Sequence, residues 1–125
     1  MEPLSATRPR FNIGVNSKES DPETVIALSG QLDAHTATEF ERFLERTVRT
    51  EHSHHIIIDF SKLEYISSAG LGVLMGLIEE VRAEGGDIKL AALPDKIFHI
   101  LDLLGFPIVF QIFGSVDEAR TAFRQ

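Results

Sequence analysis

The chain has 125 residues, 19 of them acidic and 12 basic, a formal net charge of −7, and no cysteine. That length suits one domain with a real hydrophobic core, the charge gives no support to phosphate-backbone binding, and the missing thiols exclude disulfides and thiolate chemistry. The opening MEPLSATRPR lacks the apolar core of a secretory signal, and no segment approaches the roughly 20 apolar residues that span a bilayer. The expectation is a soluble, cytoplasmic protein that neither binds nucleic acid nor inserts into a membrane.

Residues 1–10 carry two prolines and little hydrophobicity and are read as a flexible tail, leaving 11–125 as the domain. FNIGV and TVIALSG read as strands joined by the polar stretch NSKESDPE, an antiparallel pair. A helix follows. Thr36 and Glu39 have the spacing of a capping box, and Ala37, Phe40, Leu44 and Val48 form one apolar stripe. HIIIDF is a short β-branched run, the mark of a strand buried on both faces. The next helix is expected over 69–84, stopped by Gly85 and Gly86. DIKLAAL is the following strand, and a short helix over 95–104 ends at Gly105 and Pro107. IVFQIF reads as the last strand, and Ser115 with Glu118 makes a second capping box before a terminal helix. The order β-β-α-β-α-β-α-β-α predicts a single α/β domain. Its mixed sheet starts with an antiparallel pair, continues with parallel strands, and is flanked by helices on right-handed crossovers.

Three chemical readings are tested and set aside. His52, His54 and His55 sit at a loop-to-strand boundary with only Glu51 beside them, short of the convergent ligands a metal site needs. His35 and His99 are isolated and read as surface residues. GLGVLMG has the spacing G-x-G-x-x-x-G inside a helix, not on the turn after a strand, so it is no dinucleotide fingerprint. Neither Ser67 nor Ser68 lies in a G-x-S-x-G elbow. No cofactor, metal or catalytic residue is expected.

The stretch YISSAGLGVLMG carries the most information. At about 100° per residue, Leu71, Leu74, Leu77, Ile78 and Val81 share the side that faces a sheet. Gly72, Gly76, Glu79, Glu80 and Ala83 fall opposite, and Ser68 projects in line with Gly72, Met75 and Glu79. Each helical glycine costs about 1 kcal/mol against alanine, so exposed glycines imply close approach from outside. A phosphate on Ser68 is tolerated at a helix N-terminus, yet adds about −1.5 to −2 charges to a nearly uncharged face. The plain alternative for Ser68 is an N-cap. In the helix over 95–104, Ile97, Phe98, Ile100, Leu101, Leu103 and Leu104 exceed one stripe. They form either an exposed docking patch or a set buried by neighbouring loops, and burial is preferred.

The segment IIIDFSKLEYISSAGLGVLMGLIEEVRAEGGDIKLA resembles the signature region of the STAS domain, as found in bacterial anti-sigma factor antagonists. SGQLDAHTATEFERFL is similar to that family's early element and first helix, and LLGFPIVFQIFGSVDEARTAF to its closing segment. The resemblance covers nearly the whole chain from residue 11 onward. It implies a regulatory binding protein and no enzyme. The unphosphorylated form would bind an anti-sigma factor, a serine kinase of the histidine-kinase-like ATPase type, and free the sigma factor. Phosphorylation would end that contact, and a PPM-type serine phosphatase would restore it. The family's acceptor serine falls on Ser68. Ser67 stands where family members often carry Asp and is the second choice as acceptor. Asp33 matches a position near the partner-binding end, with a loop or N-cap residue as the alternative. The expected partner face is Asp33, Ser67, Ser68, Gly70, Gly72, Met75, Gly76 and Glu79, on a monomer or weak dimer. Two rivals are a STAS regulator of a partner-switching pathway without a sigma factor, and a small STAS subunit of a membrane transport complex.

Overall fold

A computed structural model describes residues 10–125; the expected tail, apart from Arg10, lies outside the described residues. The strands are β1 (Asn12–Val15), β2 (Thr24–Leu32), β3 (His55–Ile66), β4 (Asp87–Ala91) and β5 (Ile112–Phe113), in spatial order β1-β2-β3-β4-β5. β1 pairs antiparallel with β2, and every later neighbour is parallel. The helices are α1 (Ala37–Glu45), α2 (Ser68–Ala83), α3 (Asp95–Leu103), α4 (Phe106–Val109) and α5 (Val116–Phe123). A π-helical turn, Arg46–Thr50, prolongs α1.

Strand periodicity divides the molecule. Alternate residues of a strand point to opposite faces, so Ile26, Leu28, Ile56 and Ile58 enter the large core beneath α1 to α4. Val25, Ile57 and Ala91 turn the other way, onto Ala119 of α5. Ile56, Ile57 and Ile58 are all fully buried, as their continuous β-branched run requires. The stripe Ala37, Phe40, Leu44 and Val48 is buried beneath α1 and its π-helical turn.

Three expectations change. IVFQIF is not one strand: Gly105, at φ 77, ends α3 in the left-handed region, and Pro107 sits in the first turn of α4, where its missing N–H costs nothing. Ile108 and Val109 are therefore helical, and only Ile112 and Phe113 pair with Leu90 and Ala91. β3 runs six residues beyond HIIIDF, because Leu63 and Ile66 are also buried. The capping box at the first helix lies three residues upstream of the expected one. Thr36 accepts a hydrogen bond from the N–H of Asp33 at 2.9 Å, while the Asp33 carboxylate accepts from the N–H of Thr36 at 3.0 Å. Thr36 makes no side-chain cap of its own on α1. At the other end of the chain, Ser115 accepts from the N–H of Glu118 at 3.1 Å, as expected.

Candidate functional site

Adjacent parallel strands end at the same edge of a sheet, and here β2 and β3 end side by side at Leu32 and Ile66. The carbonyl of Leu32 accepts the N–H of Ser67 at 2.8 Å. This bond ties the start of α2 to the turn that begins at Asp33.

The two serines are not equivalent. Ser67 is extended, at φ −97 and ψ 169, and its hydroxyl accepts from the N–H of Gly70 at 3.4 Å. It is the N-cap, so the capping alternative weighed for Ser68 falls to its neighbour. Ser68 is the first helical residue and is exposed, and its hydroxyl makes no hydrogen bond among the described residues.

From Ser68 a ridge runs along α2 through Gly72, Met75, Gly76 and Glu79, all exposed. A Cβ added at Gly72 or Gly76 would meet nothing within 4 Å. Met75 is 45 % exposed and gives the ridge its one large apolar side chain. No charged residue occurs in α2 before Glu79. The helix N-terminus thus presents a smooth, neutral surface with a free hydroxyl at its end.

Gly70 does not belong to that surface, contrary to the expected partner face. It is buried, and a Cβ there would lie 2.7 Å from Cγ of Leu32 and 3.3 Å from Cγ1 of Ile66. Its lack of a side chain lets α2 sit close on the ends of β2 and β3. Asp33 is at the site but its carboxylate is committed: it accepts from the N–H groups of His35 and Thr36 and from the Thr36 hydroxyl. The Thr36 N–H foremost, with the others, holds its pKa below the ordinary carboxylate value.

Tyr65, 48 % exposed at the end of β3, was not apparent in the sequence. A register shift between Gly30 and Gln31 sets Tyr65 opposite Gln31, and no local pattern announces such a bulge. The apolar helix α3 also departs from its preferred reading. Ile97 and Leu101 are buried, but Phe98, Leu103 and Leu104 are 40 %, 72 % and 60 % exposed, with no loop over them among the described residues. Among the described residues no three His, Asp or Glu side chains converge as metal ligands, and His55 stacks on Phe123 instead.

A five-stranded mixed sheet, with an exposed serine at the start of the second helix, defines a class of small α/β domain. The STAS domain model matches residues 14–119, and the chain belongs to that family. It is 28% identical over 103 residues to the anti-sigma-B factor antagonist of Listeria monocytogenes, covering 82% of this chain and 90% of that one. The crystal structure of an anti-sigma factor antagonist from Mycobacterium paratuberculosis superposes with a TM-score of 0.82 at 26% identity, over 93% of this chain and 96% of the other. The antagonist SpoIIAA in its unphosphorylated form has a TM-score of 0.76 at 21% identity, over 92% of this chain and 96% of that one, a likeness of fold. SpoIIAA of Bacillus is also known in a phosphorylated form.

Proposed function

We infer that the chain is an anti-sigma factor antagonist that works by partner switching in the cytoplasm and performs no chemistry of its own. Its unphosphorylated form binds an anti-sigma factor, a serine kinase of the histidine-kinase-like ATPase type, through the ridge from Ser68 to Glu79. The kinase transfers phosphate to Ser68, the added charge ends docking, the sigma factor is recaptured, and a PPM-type phosphatase resets the switch. ATP belongs to the kinase.

One observation carries this reading: Ser67 takes the capping role and leaves Ser68 exposed with an uncommitted hydroxyl. The neutral, glycine-lined ridge below it supports close approach in one state and repulsion in the other. Asp33 acts as a positioning residue that holds the start of α1 beside α2.

The test uses a purified anti-sigma kinase with ATP and intact-mass measurement. A single added phosphate is expected, absent from Ser68→Ala and retained by Ser67→Ala. Ser68→Asp should remain folded and bind the kinase more weakly, since an anion at a helix N-terminus is locally favoured. A phosphate that persists on Ser68→Ala, or equal affinity of the phosphorylated and unphosphorylated proteins, rejects the reading.

A further inference from the structure

The opposite flank of α1 carries a feature that the Ser68 ridge does not use. β1 is an edge strand, with β2 on one side and no strand on the other among the described residues. Asn16 donates its N–H to the carbonyl of Val25 at 2.7 Å, continuing the β1–β2 register. In an antiparallel pair, such hydrogen-bonded positions alternate with positions whose polar groups point away. Asn12 and Gly14 therefore face β2, while Ile13 and Val15 turn their N–H and C=O groups to the open edge.

Soluble proteins usually blunt such an edge with a lysine, a proline or a bulge. The sequence Asn-Ile-Gly-Val has no charge and no proline, and its pairing with β2 is free of register shifts. Val15 is 52 % exposed. Beside this edge, α1 and β1 enclose an open groove of about 560 Å³. Ile13 and Phe43 give it an apolar floor, and its polar wall includes His35, Thr38, Arg42 and Arg46 with one carboxylate, Glu39.

The charge is unexpected on a chain of net −7. Arg46 lies over the Phe43 ring at 5.2 Å. Neither Arg42 nor Arg46 pairs with a carboxylate among the described residues, whereas Arg49, Arg82, Arg120 and Arg124 all do. Two arginines without a carboxylate partner among the described residues, beside an uncharged strand edge, are complementary to an extended chain bearing acids.

We propose that β1 and α1 form a second docking site, where an extended acidic peptide segment of a partner protein adds as a sixth strand outside β1. Main-chain bonds to Ile13 and Val15 supply the pairing; every second side chain faces α1, and among these the apolar ones rest on Ile13 and Phe43 while carboxylates meet Arg42 and Arg46. This site is independent of the Ser68 ridge.

The experiment measures fluorescence anisotropy of the labelled peptide Val-Thr-Glu-Thr-Val-Thr-Glu, whose valines and glutamates share one face of a strand, titrated with the full chain at low ionic strength. Its affinity should exceed that of the valine–lysine counterpart by about tenfold or more, and the double variant Arg42→Glu/Arg46→Glu should lose about as much. Val15→Pro removes an outward N–H without touching the β2 ladder and should lose about tenfold as well. N-methylation of alternate peptide amides makes the same test with the protein unaltered, should that variant fail to fold. Ser68→Asp should bind the peptide as the parent does. Equal affinity for both peptides, indifference to N-methylation, or a loss in Ser68→Asp overturns the proposal. So does a sedimenting dimer that Val15→Pro dissolves, since a second copy would then own the edge.

Discussion

The two faces of the sheet are built by different physics. Beneath α1 to α4 lies a continuous apolar core that includes Phe40, Phe60, Leu74 and Phe110. Beneath α5 the buried apolar cluster among the described residues is small: Val25, Ile57, Ala91 and Ala119. There the attachment is polar. Glu23, 1 % exposed, accepts from Arg120 at 3.0 Å and from Arg124 through both carboxylate oxygens at 2.9 Å. Lys89 rises from β4 beneath the Phe123 ring, with its ammonium 4.6 Å from the ring centre, and Asp87 and Gln111 hold the same ammonium. One face is held by burial without direction, the other by a few directional bonds between charges. The face that carries the ridge can present a neutral surface because its stability owes little to charge.

The largest expected effect tests the apolar face. Gly70→Val places methyl groups against Leu32 and Ile66 in a space that lacks room for a Cβ. Overpacking of this kind costs about 3 kcal/mol. Denaturant melts should show that loss equally at neutral and acid pH.

Glu23→Gln tests the other face and should cost about 2 kcal/mol at neutral pH, less than the roughly 3–5 kcal/mol for breaking a fully buried pair because Arg124 is half exposed. Its pH dependence separates it from Gly70→Val. The hydrogen bonds from Arg124 foremost, then charge and Arg120, hold the Glu23 pKa below its ordinary 4.5. A depressed carboxylate stabilises the fold above the unfolded value, and that contribution fades as pH falls through the lower folded value. The gap between parent and variant should therefore close in acid, below pH 4.5. A gap that persists there would mean that packing, not the ion pairs, holds α5.

On the exposed ridge the sign reverses. Gly72→Ala and Gly76→Ala meet no neighbouring atom, so each should stabilise the free domain by about 0.5–1 kcal/mol. Gly72→Gln should leave the melt nearly unchanged and sharply weaken binding of the anti-sigma kinase. A destabilised Gly72→Gln domain would show that α2 turns this position inward.

These three glycines also mark how far sequence alone reaches. Helical periodicity placed Gly72 and Gly76 outside, and the continuous β-branched run of HIIIDF placed the central strand. The role of Gly70 was not legible, because it depends on where Leu32 and Ile66 end, a contact between segments far apart in the chain. The box at Asp33 and Thr36 was hidden by a competing one at Thr36 and Glu39, since both pairs have the right spacing. The strand at 108–113 failed because an apolar run has no period that tells helix from strand, and Gly105 with Pro107 decided it. The Glu23 clasp joins residues about a hundred positions apart, and nothing local points to it.

The smallest effect concerns the paired serines, where the apolar face meets the ridge. Ser67 caps α2 through a bond to Gly70 that is long, at 3.4 Å. A weak cap of this kind contributes about 0.5 kcal/mol, at the low end for serine. Ser67→Ala should lower the melting temperature slightly and leave the Ser68 hydroxyl where it is, because the bond from the Ser67 N–H to Leu32 is a backbone contact. Phosphorylation by the kinase should then proceed at nearly the parent rate. A large loss of rate with an unchanged melt would give the Ser67 hydroxyl a part in recognition, and the ridge would begin one residue earlier than its exposure indicates.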